Sequence, residues 1–335
     1  MKSPQWLALE SEGLVRVEPH APGSEFLLVI RPSADEPSLL EWAVRHREPI
    51  RELLLQYGAI LFRGFGAPSA ASDFERFIEA TGDGELLAYT HGSTPRESVS
   101  GRISTATIYP PDRPIPLHNE QSYSRSWPLK LWLFCHRAAA HGGATPLADS
   151  RRVHAAIDPR IRERFAEKGV MYLRNYGELI DVPWQQAFLT DDRSRVEDYC
   201  HEQGIEFEWL EGNGLRTRQV CQSVAEHPET GETVWFNQAH LFHVSSLPGA
   251  RRRQLLALFG ERDLPRHACF GDGSPIDDAM LDAVRGAYQR ECLAFTWRAG
   301  DLLMVDNMLA AHGREAFRGE RMVWFGMAEA HSVQS

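Results

Sequence analysis

Apolar positions along this chain follow two periods, one suited to helices and one to strands. Leu40, Val44, Ile50, Leu53 and Leu54 recur at roughly helical spacing and predict a helix over 38–57. Residues 72–81 predict a second helix with Ser72 as its N-cap. Residues 24–31 and the short apolar run 58–63 read as strands. Residues 129–137 are rich in bulky apolar side chains and predict a core strand. His141-Gly142-Gly143 breaks it before Thr145-Pro146-Leu147-Ala148 resumes. A helix over 149–168, capped by Asp149 or Ser150, follows. Further strands are expected at 170–174, 205–209, 215–221, 233–237, 292–297 and 301–305, and a helix near 277–290. Helices come first, then scattered strands with a helical insertion. That order predicts an α+β chain with a curled β-sheet core rather than alternating βαβ units. No repeat, low-complexity tract or Gly/Ser/Pro linker divides residues 1–335, so one domain is expected.

Composition narrows the function classes. At 43% hydrophobic and 24% charged residues, the chain can bury a globular core. A formal net charge of −10 disfavours a nonspecific grip on nucleic acid, which needs a basic surface to displace counterions. It leaves room for an anionic small substrate in a local basic pocket. The five cysteines are widely spaced with no CxxC pair, so neither a zinc knuckle nor a dithiol motif is indicated, and reduced, mostly buried thiols are expected. No apolar run approaches a membrane span, and the N-terminal residues do not resemble a signal peptide. The expected setting is cytoplasmic, with no membrane or nucleic-acid partner. Neither GxGxxG nor GxxxxGK[ST] is present.

The chemistry concentrates in Pro116-Leu117-His118-Asn119-Glu120. On a strand, residues i and i+2 share a face, so His118 and Glu120 are expected to aim an imidazole and a carboxylate at one point. Residues Gly300 to Asn307 read as turn then strand and lead to His312. Two histidines and one carboxylate would leave three metal positions open, as in the facial triad of non-haem iron(II) oxygenases. An H-x-E tripeptide alone is weak evidence, since the chain has 14 histidines and 46 acidic residues. The same three ligands could also hold zinc.

Longer stretches carry more weight. The run His118-Asn119-Glu120-Gln121-Ser122-Tyr123, then Gly142 through Asp149, then Asp306-Asn307 through His312-Gly313-Arg314 to Arg321, resembles the taurine dioxygenase and clavaminate synthase superfamily. Val234 to His240 and Tyr89 to Arg96 extend the likeness to about residues 85–330. Within the superfamily the chain is most similar to the syringomycin-type amino-acid hydroxylases of nonribosomal peptide pathways. The resemblance implies a double-stranded β-helix, or jelly roll, with helical additions, residues 1–84 forming N-terminal elements outside it. It implies iron(II) held by His118, Glu120 and His312, with 2-oxoglutarate and O2 as co-substrates. Thr145 is carried over as a contact to one 2-oxoglutarate carboxylate and Arg321 as the clamp on the other, ahead of Arg314 and Arg318. Glu120 stands where the related halogenases carry a small residue, which favours hydroxylation. Phe325 stands where sulfonate-binding members carry a second arginine, which argues against a taurine-like substrate.

The same resemblance implies hydroxylation of an unactivated carbon, the β-carbon of an amino acid, which can be an acidic one tethered to a carrier protein. Arg96, Arg125, His91, Asn237 and His240 are implied as pocket residues, with a structural role an equal alternative for His240 and His243. Arg251-Arg252-Arg253 is either a docking patch for an acidic carrier or a solvated helix start. Desaturation or cyclisation of a free amino acid, a zinc cupin-like enzyme and a non-catalytic binding protein are the alternatives.

Overall fold

The computed structural model describes residues 6, 9–10, 12–33, 38–66, 68, 70–87, 96–177 and 182–333. Its centre is a large mixed sheet. In spatial order it runs Val15–Pro19, Leu28–Pro32, Ala59–Phe62, Leu302–Asp306, Ser126–Arg137, Met322–Ser332, Ile103–Thr105 and Ser98–Ser100. Every pairing is antiparallel except Leu28–Pro32 with Ala59–Phe62.

Both faces of this sheet are covered, and the period-2 alternation of side chains assigns each residue to one cover. Trp132, Phe134, Leu302, Met304 and Trp324 pack against the helices Leu39–Arg45, Arg47–Tyr57 and Ala71–Thr81. Leu131, Leu133, Cys135, Leu303, Val305, Val323, Phe325 and Met327 point the other way and meet Leu147, Phe295 and Ala310. Those last three belong to a four-stranded antiparallel sheet in the order Cys292–Phe295, Thr145–Asp149, Ala310–Arg314, Ile115–His118. A further four-stranded sheet, Glu206–Leu210, Gly214–Cys221, Val170–Tyr176 and Arg266–Phe270, completes the mixed α/β structure. Three strands from the first 84 residues belong to the large sheet itself, so the sheet does not respect a division near residue 85.

The expected helix 38–57 is two helices, broken at His46, whose φ is −112°. Pro49 explains the break: inside one helix its ring would clash with the preceding turn, whereas in the first turn of a new helix it is tolerated. The stretch 149–168 likewise splits into Ser150–Ala156 and Pro159–Lys168, with Ile157 extended and Pro159 at the first helical position. Asp149 caps the first of these. The helix expected at 72–81 starts at Ala71, so Ser72 lies within it; the Asp73 carboxylate accepts the Ala70 N–H at 3.2 Å instead. The helices Arg193–Gln203 and Gly249–Phe259 lie outside the elements expected from the sequence. Arg251 to Arg253 sit in the first turns of the second, where Arg252 pairs with Asp278.

All five thiols are free; four are buried and Cys292 alone is exposed. No helix among the described residues is long and apolar enough to cross a membrane.

Candidate metal centre

The strand Ile115–His118 stops at His118 because the following residues are held in a turn. The Asn119 carbonyl accepts the Ser122 hydroxyl at 3.0 Å and the Gln238 side-chain amide at 2.8 Å. The Asn119 side chain donates to the Asn307 carbonyl at 2.7 Å and to Ser150 Oγ at 3.0 Å. Asn307 completes the lock. Its Oδ1 accepts the Glu120 N–H at 2.7 Å, and its Nδ2 donates to the carbonyls of Glu120 and Pro128 at 2.9 and 2.8 Å. Gln121 then takes φ +56°. Glu120 therefore lies in a turn, not at position i+2 of a continuing strand as the alternation argument expected. Side-chain amides from a remote segment, rather than strand pleat, set its direction.

Behind Asn307, His227 and Asp306 form a buried pair at 3.1 Å. The Glu229 and Thr230 amides donate to His227 Nδ1, which leaves Nε2–H to donate to Asp306. The other Asp306 oxygen accepts the N–H groups of Met308 and Leu309. Asp306 belongs to a stretch already singled out in the sequence, whereas His227 carries no such signal.

His312 stands directly opposite His118 across the sheet, with ring centroids 4.6 Å apart. One donor atom from each of His118, Glu120 and His312 lies within 4.8 Å of the others. The arrangement fits a metal in its protonation states as well as its spacing. His118 Nδ1 lies 2.8 Å from the Pro116 carbonyl, which can only accept, so Nδ1 carries the proton and Nε2 keeps its lone pair. Burial first, then the charges of His118 and Arg96, hold the His312 pKa well below the usual imidazole range, and its Nδ1 is buried without a hydrogen-bond partner. Arg96 Nη2 donates to Glu120 Oε2 at 2.6 Å, both side chains nearly fully buried, and its guanidinium lies 3.7 Å from the Phe325 ring centroid.

Thr145 sits two residues before Leu147, the strand partner of His312. Its Oγ1 accepts the Trp297 indole N–H at 2.8 Å, leaving its own hydroxyl proton to donate elsewhere. Arg321 is half-buried with its Nε shielded from solvent; it makes no ion pair among the described residues, and that Nε has no hydrogen-bond partner. Burial, followed by the nearby charge of Arg314, pushes its pKa down to about 10. Gly143 makes room for it. At φ +72°, an added Cβ would meet Phe317 Cβ at 3.1 Å, Ala139 Cβ at 3.2 Å and Arg321 Cδ at 3.4 Å. Arg314 is committed elsewhere, donating to the carbonyls of Tyr109, Pro110 and Arg113. Arg318 is exposed. An unpaired, half-buried guanidinium suits a carboxylate of a co-substrate, and of the three arginines Arg321 alone offers one.

A cavity of about 370 Å³ opens beside the ligands, lined by His118, Glu120, Tyr123, Gln238, Phe242 and Arg266 among others. Of the expected pocket residues, Arg96 reaches Glu120, while the others are placed in the framework. Arg125 Nε donates to the Val220 carbonyl at 3.0 Å. Asn237 is fully buried, bridging Ser223 and Ala239. His240 donates to the Leu117 carbonyl at 3.0 Å, and burial pushes its pKa down to about 3. His243 caps a short helix through Ser245. His91 and the rest of 89–95 lie outside the described residues.

Comparison with known proteins now bears on this geometry. Residues 19–327 match the model of the taurine catabolism dioxygenase TauD, TfdA family. The dapdiamide synthesis protein DdaC of Enterobacter agglomerans is 38% identical over 307 residues, covering 92% of each chain. A clavaminate synthase-like protein of Arabidopsis thaliana is 34% identical, covering 87% of this chain and 88% of its own. The fold is similar to that of PvcB from Pseudomonas aeruginosa (TM-score 0.56, 16% identity, 93% and 90% covered). It is also similar to a taurine dioxygenase from Burkholderia xenovorans (TM-score 0.53, 14% identity, 96% and 95% covered). The zinc-enzyme and binding-protein alternatives give way to a family match across nearly the whole chain: it belongs to the TauD/TfdA family and is an iron(II)- and 2-oxoglutarate-dependent oxygenase.

Proposed function

We propose that His118, Glu120 and His312 hold the iron, that Thr145 and Arg321 hold 2-oxoglutarate, and that the chain hydroxylates an unactivated carbon of an amino acid. The β-carbon is the proposed target, and the product belongs to secondary-metabolite assembly of the nonribosomal peptide kind, the substrate being free or carrier-bound. The convergence of three donor atoms within 4.8 Å carries this reading. The unpaired Arg321 and the dapdiamide-synthesis relative support it. We further propose that residues 1–335 form one cytoplasmic oxygenase domain whose facing sheets are the two halves of a double-stranded β-helix.

Bound iron with 2-oxoglutarate and O2 supplies the oxidising power to break a C–H bond. The protein's own work is positioning. His118 presents Nε2 because Pro116 holds its other nitrogen. Glu120 is aimed by Asn307 and steadied by Arg96. The Arg321 fork and the Thr145 hydroxyl would hold the carboxylates of the co-substrate. Tyr123, Leu241 and Phe242 wall the cavity with apolar surface that excludes water from the reacting carbon. No side chain is assigned as a general base.

The test is an anaerobic titration of metal-free protein with iron(II) and 2-oxoglutarate, watching the weak visible band of a chelated keto acid. The band is expected in wild type and absent in His312→Ala. A folded wild type that binds iron without the band would overturn the assignment.

A further inference from the structure

Beside the metal cavity lies a second chamber of about 390 Å³ that no step above employs. It sits where the lobe of residues 170–221 faces the strands Ser126–Arg137 and Met322–Ser332 of the large sheet. Packed interiors keep few voids larger than a water molecule, so a chamber of this size is ligand-sized space and not a packing defect. Its walls are mostly rings. Trp127 comes from the large sheet, Tyr172 and Tyr176 from the strand Val170–Tyr176, and Phe188 and Tyr199 from the helices Trp184–Phe188 and Arg193–Gln203. The polar groups between them are bonded within the frame. Gln219 Nε2 donates to the Gln203 carbonyl at 2.8 Å, and the Ser126 hydroxyl donates to Gln203 Oε1 at 3.1 Å. Ser124 Oγ accepts the Ser126 N–H at 3.3 Å, and the Tyr172 hydroxyl accepts the Gln238 N–H at 2.7 Å. Arg174 is the one charged side chain lining the chamber among the described residues. It stands 4.6 Å from the Tyr176 ring centroid and is engaged within the chain. The wall therefore has no carboxylate and no uncommitted cation to meet a charged ligand. Tyr123 and Phe242, with ring centroids 5.3 Å apart, belong to the walls of both chambers. Gln121, the residue after Glu120, also lines the second one.

We propose that the second chamber takes an uncharged apolar end group of the substrate, aromatic or branched, while the carbon that reacts lies in the metal cavity on the other side of Tyr123 and Phe242. The proposal rests on the oxygenase reading above and adds the class of substrate: an amino acid enlarged by a bulky apolar side chain or N-acyl group. Ring-lined walls favour flat and branched apolar groups, which bury area against the ring faces. A charged end group would lose its hydration with no counter-charge in the wall to replace it. A small amino acid would leave the chamber unfilled and forgo that burial.

The experiment uses the full chain loaded anaerobically with iron(II) and 2-oxoglutarate. The probes are L-alanine, L-leucine, L-phenylalanine, L-aspartate and L-lysine, each N-acetylated and N-benzoylated. Two signals are read: perturbation of the visible band, and 2-oxoglutarate consumption once O2 is admitted. Probes with a bulky apolar end are expected to bind at least tenfold more tightly than N-acetylalanine. N-acetylaspartate and N-acetyllysine, whose only large group is charged, should bind no better than N-acetylalanine. Comparing the side-chain and acyl series identifies which end the chamber holds. Ala330→Trp fills the chamber from the large sheet and Ile205→Trp from the lobe. Each should raise the apparent Kd of the best apolar probe tenfold or more, with iron(II) and 2-oxoglutarate titrations unchanged. Affinity that does not rise with apolar bulk, charged probes that equal the apolar ones, no response to any probe in a protein that shows the band, or wild-type affinity for the best probe in both variants would overturn the proposal. Absence of the band in wild type before any probe is added overturns the oxygenase reading and this one with it.

Discussion

Two arginines on the large sheet's flanks, buried Arg63 and half-buried Arg321, have opposite surroundings. Arg63 gives two hydrogen bonds to Asp301, at 3.0 and 2.6 Å, and a third to the Thr296 carbonyl at 2.7 Å. Arg321 has no carboxylate among the described residues, and its pKa is pushed down accordingly. Both stand close enough to Cys135 to draw its thiol pKa down, although burial wins and raises it to about 12. The contrast separates a charge whose partner is part of the fold from one that, on the proposed reading, takes its partner from solution. Arg63 is the more deeply buried of the two, and it is the one with a carboxylate beside it.

Breaking the internal pair should have the largest effect on folding. Asp301→Ala strands a buried guanidinium and should cost about 3–5 kcal/mol in urea denaturation. Keto-acid affinity in the protein that remains folded should be unaltered. Arg321→Leu should do the reverse. Loss of a charge-assisted contact of about 1.5–3 kcal/mol weakens 2-oxoglutarate binding roughly ten- to hundredfold. Stability should hold or rise, because an uncompensated charge leaves the interior. If both variants lose stability equally, the contrast fails. Gly143→Ala should sharpen it more gently, crowding Arg321 Cδ and straining a positive φ at about 1–2 kcal/mol, with a several-fold weaker co-substrate titration. A further test concerns pH. Burial, then His267, pushes the His243 pKa down to about 4. The unfolded chain takes up that proton near pH 6.5 and the folded chain only near 4, so stability should fall as pH drops through this window and be flat above it. His243→Asn, which can retain the cap to Ser245, should flatten the urea midpoint between pH 6.5 and 4.

The sequence revealed the strands best where apolar residues run on almost continuously, as at 129–137 and 301–305, since both faces of those strands are buried. It was blind where a tertiary contact overrides local pattern. The H-x-E spacing pointed to residues that the structure does bring together, but by another conformation, because Asn307, 187 residues further along the chain, holds the backbone at Glu120 in a turn. Arg125 and Asn237 read as pocket residues by likeness, yet their hydrogen bonds run to backbone groups of the framework.

The single exposed thiol has a practical value. Cys292 opens an edge strand whose register runs Cys292 to Ala148 and Phe295 to Thr145, while the four remaining thiols are buried. A maleimide dye should therefore attach at one place without mutagenesis. From there it sits on the strand beside Thr145, and its emission can report co-substrate arrival in real time.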